Sequence, residues 1–556
     1  AMAYAILIFF FTALAALGGC SQSAATSYYP STTANTTSGL LLGHPGPNRS
    51  NVVEFLGILY AAPPIGELRF APPVRFQSSG ATRNASEWAS IPFVSLTGDT
   101  TSRDWADNQN TGLVCHRLES SSHLASSTDM TSFSDCPQTT SKPVNFPGFT
   151  PQAQRIINYF VGSAGNTQSE DCLTLNVWTK PTASASQQKP VLIFLYGGRF
   201  ANGNTHTPFY DGQALADAED VVVVTLNYRV NIFGFPGAPD AAANLGLRDQ
   251  RLAVEWIRDN IAAFGGDPSR MVLFGQSAGG VAVDYWAYAY QDDPIVSGLI
   301  SHSGNALSFP LNEPSRQVSN WHNVSEALGC GGEENSLACM RTKNWADILK
   351  AVSLVLSATS DNPVRSIPPF YPLVDDELVF SDYDKRSREG NFARLPYVLG
   401  NNDNEQGYYV ISAYGRGTNV TKAQGDDFLL TSFTCPNHAQ ALSRHNAGVA
   451  VWQYRYFGDW DNTRLYPTSG AYHGVDMHML FGNSEAVSGI PPTVAQDSTV
   501  ALMQHLWARF AADSFIGLSR AGWPRFEPGS DSLAQFAHRN SPEWSFVNPE
   551  ILVDRC

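Results

Sequence analysis

The chain has 556 residues, 43% hydrophobic and 12% aromatic, with only 15% charged and a formal net charge of −15. Such apolar content can fill a sizeable core, and an acidic balance without a basic run or stripe argues against nucleic-acid binding. The acidity is read as a solubility feature rather than as steering of a cationic substrate.

From the N-terminus, Ala5 to Leu17 is almost wholly apolar and is followed by small residues. The run is too short to span a bilayer and reads as a signal peptide over residues 1–20, cut near Gly18 to Ser21. It lacks a basic n-region, and Leu17-Gly18-Gly19-Cys20 loosely matches a bacterial lipoprotein box. Residues 21–38 are Ser/Thr-rich and disordered in composition. No second apolar run suits a transmembrane anchor, so the mature chain is expected to be soluble.

Phe55 to Tyr60 alternates and stops at Pro63-Pro64, as an early strand does. Residues 95–144 are polar and lack periodicity, which is unusual within a compact domain. Two readings are open for about 94–134: a surface insertion or lid, or a translated intron, since Val94-Ser95 and Phe133-Ser134 are encodable by intron-border letters. Further strands are expected at Leu173 to Trp178, Pro190 to Tyr196 and Val221 to Tyr228, the last apolar enough for a sheet covered on both faces. Residues 245–264 carry apolar positions at helical spacing and end at Gly265-Gly266. A short strand, Met271 to Phe274, then leads into Gly275-Gln276-Ser277-Ala278-Gly279-Gly280 and a helix to about Tyr290. Strand, helix, strand is the order of a right-handed crossover in a parallel sheet. Residues 385–425 are expected to form mainly loops around the site.

Eight cysteines suit an oxidising compartment. Cys330 and Cys339 are near enough in sequence to close a small loop, and Cys435 and Cys556 can tie the C-terminus to the body. Cys172 has two upstream candidates, Cys115 and Cys136. Sequons at Asn35, Asn48, Asn84, Asn323 and Asn419 are no more than the composition gives by chance.

A strand ending in Gly-x-Ser-x-Gly before a helix is a nucleophile elbow, where a sharp reversal exposes the serine hydroxyl and glycines avoid collisions. A hydroxyl at neutral pH needs a base, and the base needs an orienting acid. Six histidines lie beyond residue 430: His438, His445, His473, His478, His505 and His538. His473 is favoured because Gly474 follows it, before an expected apolar turn at Met479 to Gly482. Upstream, Tyr397 to Gly400 reads as a strand delivering Asp403 and Glu405, either of which can be the acid. Tyr196-Gly197-Gly198-Arg199-Phe200, directly after a strand, is a loop able to aim backbone N–H donors at an oxyanion.

Taken together, these blocks closely resemble the type-B carboxylesterases, a family that includes cholinesterases and some fungal lipases. The resemblance is carried by Phe55 to Pro64 with Leu68-Arg69-Phe70, by Ser169-Glu170-Asp171-Cys172 to Trp178, and by Asn244 to Gln250 through Phe264 to Pro268 and on to Ser277-Ala278-Gly279. It spans about residues 39–556 except the 95–135 insertion. It implies an α/β-hydrolase fold in one domain, with a large, mostly parallel sheet flanked by helices. It also implies Ser277 as nucleophile, His473 as base and Glu405 in preference to Asp403 as acid. The implied oxyanion donors are the N–H groups of Gly198, Arg199 and Ala278, and the implied disulfides are Cys136–Cys172, Cys330–Cys339 and Cys435–Cys556. No cofactor or metal is called for. Arg199 stands where the family has a third glycine and brings a side chain that can crowd or charge the pocket. Gln406 separates Glu405 from Gly407, where many members have Glu-Gly directly.

Two departures speak against a choline ester. Cholinesterases carry a cation-binding Trp about ten residues before the cysteine of their Ser-Glu-Asp-Cys block, where this chain has Gly162. They also have Glu before the nucleophile, where this chain has Gln276. The expected activity is hydrolysis of neutral carboxylic esters by a secreted enzyme. The alternatives are a lipase or sterol esterase of the same family, and a noncatalytic cholinesterase-like adhesion module.

Overall fold

The computed structural model describes residues 32–85, 134–140, 143–163, 165–181, 187–332, 336–358 and 362–556. The expected signal peptide, Cys115 and nearly all of the 94–134 stretch lie outside those residues. The end of the Ser/Thr-rich segment is ordered, contrary to its composition. Strand Thr33–Thr36 pairs antiparallel with Gly39–Leu42. Ala34 and Leu41 bury their side chains there, while the buried Ser38 hydroxyl donates to Leu59 O at 2.7 Å and accepts from Trp256 Nε1 at 2.8 Å.

Among the described residues the main sheet has eleven strands. From one edge to the other they are Ser545–Val547, Leu533–Phe536, Val451–Tyr456, Tyr397–Asn402, Gly298–His302, Gly266–Gln276, Lys189–Leu195, Val222–Leu226, Thr174–Thr179, Val53–Leu59 and His44–Pro45. The seven strands from Leu533–Phe536 to Val222–Leu226 pair in parallel, and the outer ones pair antiparallel. Central runs such as Val191 to Leu195 and Val222 to Val224 are buried completely, because helices cover both faces and leave no polar side to alternate with. This is the α/β-hydrolase arrangement.

The helix Leu245–Asn260 and a short 3₁₀ turn, Ile261–Phe264, fill the expected helical stretch. The crossover they make passes over Lys189–Leu195, so the strands it joins are not neighbours. Residues 385–425 are more helical than their composition suggests. Tyr383–Glu389, Gln406–Gly415 and Lys422–Leu429 are all helices. Gln406–Gly415 contains aromatic and β-branched residues of modest helix propensity, and buried Tyr409, Ile411 and Ala413 hold it by packing.

Disulfides join Cys136 to Cys172, Cys330 to Cys339 and Cys435 to Cys556. The first joins cysteines 36 residues apart, and the last fastens the C-terminus to the helix Cys435–Asn446. That helix also carries Arg444, whose buried guanidinium bonds Asp284 at 2.5 Å. Asp284 lies on Ala278–Ala289, the helix that follows Ser277, and also accepts from Ala306 N at 2.9 Å. Replacing one partner of such a pair strands the other charge in the core. Asp284→Asn is therefore expected to destabilise by about 3–5 kcal/mol, read from the shift in a urea unfolding midpoint; a loss below ~1 kcal/mol would mean the pair is not supporting the fold.

Candidate active site

In a parallel sheet every strand ends at the same edge, and neighbours are about 4.8 Å apart. Pairing sets Gln276 level with His302, His302 with Gly400, and Asn402 with Tyr456. The residues leaving these strands therefore meet at one level. Ser277 follows one strand, Ser303 its neighbour, and Glu405 emerges from the next. Gly197 to Phe200 leaves the strand on the other side of Ser277.

Ser277 has φ 57° and ψ −121°, a conformation that L-residues rarely adopt and that costs of order 1–3 kcal/mol. Packing enforces it. The Ser277 N–H donates to His302 O at 2.8 Å. A Cβ on Gly279 would stand 2.0 Å from Leu195 O, and one on Gly275 would stand 2.5 Å from the Gly279 backbone. The loop Gly197 to Phe200, expected to aim N–H donors, is held in a similar way. Gly198, Arg199 and Phe200 have φ of 107°, 56° and 55°, and Ala201 N and Asn231 N tie it down through Gly198 O and Phe200 O. The N–H groups of Gly198, Arg199 and Ala278 make no hydrogen bond among the described residues.

His473 sits between Tyr472 and Gly474, whose φ of 83° makes the turn into the helix Val475–Leu480. Met479 and Leu480 therefore belong to that helix and not to a turn. His473 Nδ1 lies 2.5 Å from Glu405 Oε2. Glu405 is fully buried, and its Oε1 accepts from Ser303 Oγ at 2.6 Å and Asn402 N at 2.7 Å. Asp403, the other candidate acid, turns away to pair with Arg455 Nε at 2.9 Å with its side chain 45% exposed. Gln406 opens the helix Gln406–Gly415, so the extra residue after Glu405 is absorbed into a helical turn.

The remaining histidines lie elsewhere. His478 is buried against Ser484, and burial, only partly offset by the Asp476 charge, pushes its pKa down to about 3. His505 and His445 face Glu219 and Glu527, and His438 and His538 pack on Phe526 and Phe457.

Three features were not legible in the sequence. The Nε2 of His473 receives a hydrogen bond from the Gln276 amide at 3.1 Å. Tyr409 lines the smaller cavity together with Ser277, and burial holds its phenol well above its ordinary pKa. Arg199 folds over the Tyr409 ring, 5.0 Å from its centre, and donates to Val364 O and to Ser366 O and Oγ. Ser303 was missed as well; it leaves the strand beside the one that ends at Ser277, and no strand is predicted there from the sequence.

Two cavities meet at Ser277. The larger, about 850 Å³, is lined by Leu307, Phe309, Leu311, Ile367, Val374 and Phe428 among others. The smaller, about 180 Å³, is lined by His473, Gly197, Gly198 and Arg199 among others. Arg199 borders both.

The carboxylesterase family model matches residues 30–429. The chain belongs to the carboxylesterase family. It is 31% identical to secreted lipase 5 of Gibberella zeae, over 94% of this chain and 93% of the relative. It is 31% identical to a chlorogenic acid esterase of Aspergillus niger, covering 90% of each. Acetylcholinesterase of Electrophorus electricus is 28% identical over 90% of this chain and 71% of its own length. This carboxylesterase is accordingly a carboxylic ester hydrolase, and no helix among its described residues is long and apolar enough to cross a membrane. The two acidic candidates predict opposite outcomes. Glu405→Gln is expected to lower kcat by about 10³–10⁴-fold, whereas Asp403→Asn should stay within about threefold of wild type, both measured with a nitrophenyl ester.

Proposed function

We propose that this carboxylesterase works through Ser277, His473 and Glu405. His473 takes the Ser277 proton as the hydroxyl attacks the ester carbonyl, and Glu405 keeps the Nδ1 tautomer and stabilises the imidazolium. The N–H groups of Gly198, Arg199 and Ala278 receive the oxyanion. His473 then protonates the leaving alcohol, and water cleaves the acyl-enzyme by the same route. The observation that carries this reading is the buried 2.5 Å contact between His473 and Glu405, with His473 lining the cavity that Ser277 enters. For the proton to pass, His473 Nε2 exchanges the Gln276 amide for the serine hydroxyl. All three members of the triad are present, which opposes the noncatalytic alternative.

The acyl part is proposed to be neutral and to occupy the larger cavity, whose apolar walls give room for an extended chain. A cation on the substrate is disfavoured by Gly162 and Gln276 in the places where the cholinesterases carry Trp and Glu. The lipase reading draws on the same volume and on relatives named secreted lipases. The names of those relatives and the three disulfides support an extracellular location.

Organophosphate treatment followed by peptide mapping is expected to place the label on Ser277, and Ser277→Ala to leave folding intact while removing ester cleavage. A label elsewhere, or a Ser277→Ala variant that still cleaves esters, would overturn the reading. Rates across nitrophenyl esters of rising acyl length separate the two substrate classes: a maximum at short chains supports an esterase, and a maximum at long chains a lipase.

A further inference from the structure

We propose that the smaller cavity holds the leaving alcohol and that this alcohol carries a carboxylate, bound by Arg199 and Arg416. The proposal rests on the esterase reading. It limits the expected neutrality of the substrate to the acyl half.

The side of the site follows from the proton. The group that protonates the departing alkoxide must stand over the alcohol, and His473 lines the smaller cavity but not the larger. The charge follows from what surrounds it. The lining of that cavity includes Arg199 and Arg416 but no Asp or Glu. Neither arginine has a carboxylate within 4.0 Å among the described residues; Arg199 is partly buried at the cavity and Arg416 stands at its exposed rim. Glu405, the acid of the triad, already serves His473 and Ser303.

The two guanidinium groups are held side by side by one short segment. Arg416 Nη2 donates to Pro363 O at 2.9 Å, and Arg199 donates to Val364 O at 3.1 Å and to Ser366 O at 3.1 Å. Partial desolvation, and after it the nearby Arg199 charge, depress the pKa of Arg416. Carbonyls satisfy some N–H groups but supply no counter-charge. A guanidinium has five N–H donors, and these bonds use only part of each set. A carboxylate between them would complete both the charge and the hydrogen bonding.

The aromatic wall bears on the same point. Phe160, Tyr408 and Tyr409 line this cavity, and aromatic faces alone would suit a cation. Two adjacent guanidinium groups reverse that preference, so the wall is left to pack on the carbon skeleton of the alcohol. The competing explanation is that the arginines only staple segment 363–366 in place, in which case their loss would slow all substrates alike.

The test is a pair of acetate esters matched in shape, 4-acetoxybenzoate and 4-acetoxybenzamide, which differ in the charge of the alcohol half. The ratio of their kcat/KM values on one enzyme cancels effects on folding and on the triad. The wild-type enzyme should favour the carboxylate by about tenfold, the size of one charge-assisted hydrogen bond. Arg416→Met and Arg199→Met should each bring the ratio to within about twofold of unity, and Arg416→Lys should retain part of it. A wild-type ratio at or below one, or a ratio unchanged in both methionine variants, overturns the anion site, while turnover of the amide leaves the esterase reading intact. Failure to cleave either ester, or a neutral nitrophenyl ester, removes the esterase reading and this proposal with it.

Discussion

The backbone reversal at Ser277 is the constraint on which the site depends. A residue at φ 57° and ψ −121° would relax if it were free to do so. It cannot, because its N–H is bonded to the adjacent strand and the helix behind it packs glycine against the backbone of Lys189–Leu195. The same contacts place the hydroxyl at the sheet edge, beside the N-terminus of a helix whose dipole favours negative charge. Stability elsewhere in the body thus maintains a local conformation that is unfavourable on its own.

A second buried network supports Glu405. Asn402 donates its backbone N–H to Glu405 and its side-chain amide to Asp476 at 3.0 Å. Asp476 Oδ2 also lies 3.0 Å from His302 Nδ1, and His302 Nε2 accepts from Trp507 at 3.1 Å. Burial works against the Asp476 charge, but the bonds from His302 and Asn402 outweigh it and hold the carboxyl below its ordinary range. Glu405 is therefore fixed by Asn402 at the end of its own strand and by Ser303 after the neighbouring one, with its other oxygen facing His473. Arg199, in the loop proposed to receive the oxyanion, extends its side chain to the wall between the two cavities.

Elements whose residues carry a strong local pattern were legible in the sequence. The strand Lys189–Leu195 and the helix Leu245–Asn260 follow directly from an apolar run and from helical spacing. Gly-x-Ser-x-Gly marks the elbow because the glycine requirement is steric and local. The segment Gln406–Gly415 was less legible, since packing rather than propensity makes it helical. For the acid, the residues alone left Asp403 and Glu405 equal. Only the fold shows that Arg455 draws Asp403 outward while Glu405 turns inward. Arg416 and Tyr409 carried no motif at all, and their proximity to Ser277 arises from how that helix docks.

The central claim is that folding brings the imidazole of His473 to the hydroxyl of Ser277, although in the resting arrangement its Nε2 meets Gln276. A crystal structure of the enzyme carrying a bound phosphonate tests this most directly. The account predicts phosphorus on Ser277 Oγ, one phosphonyl oxygen facing the N–H groups of Gly198, Arg199 and Ala278, and His473 Nε2 moved from the Gln276 amide to hydrogen-bond an oxygen of the adduct. A phosphonate attached elsewhere, or a His473 ring still bound to Gln276 and out of reach of the adduct, would contradict it.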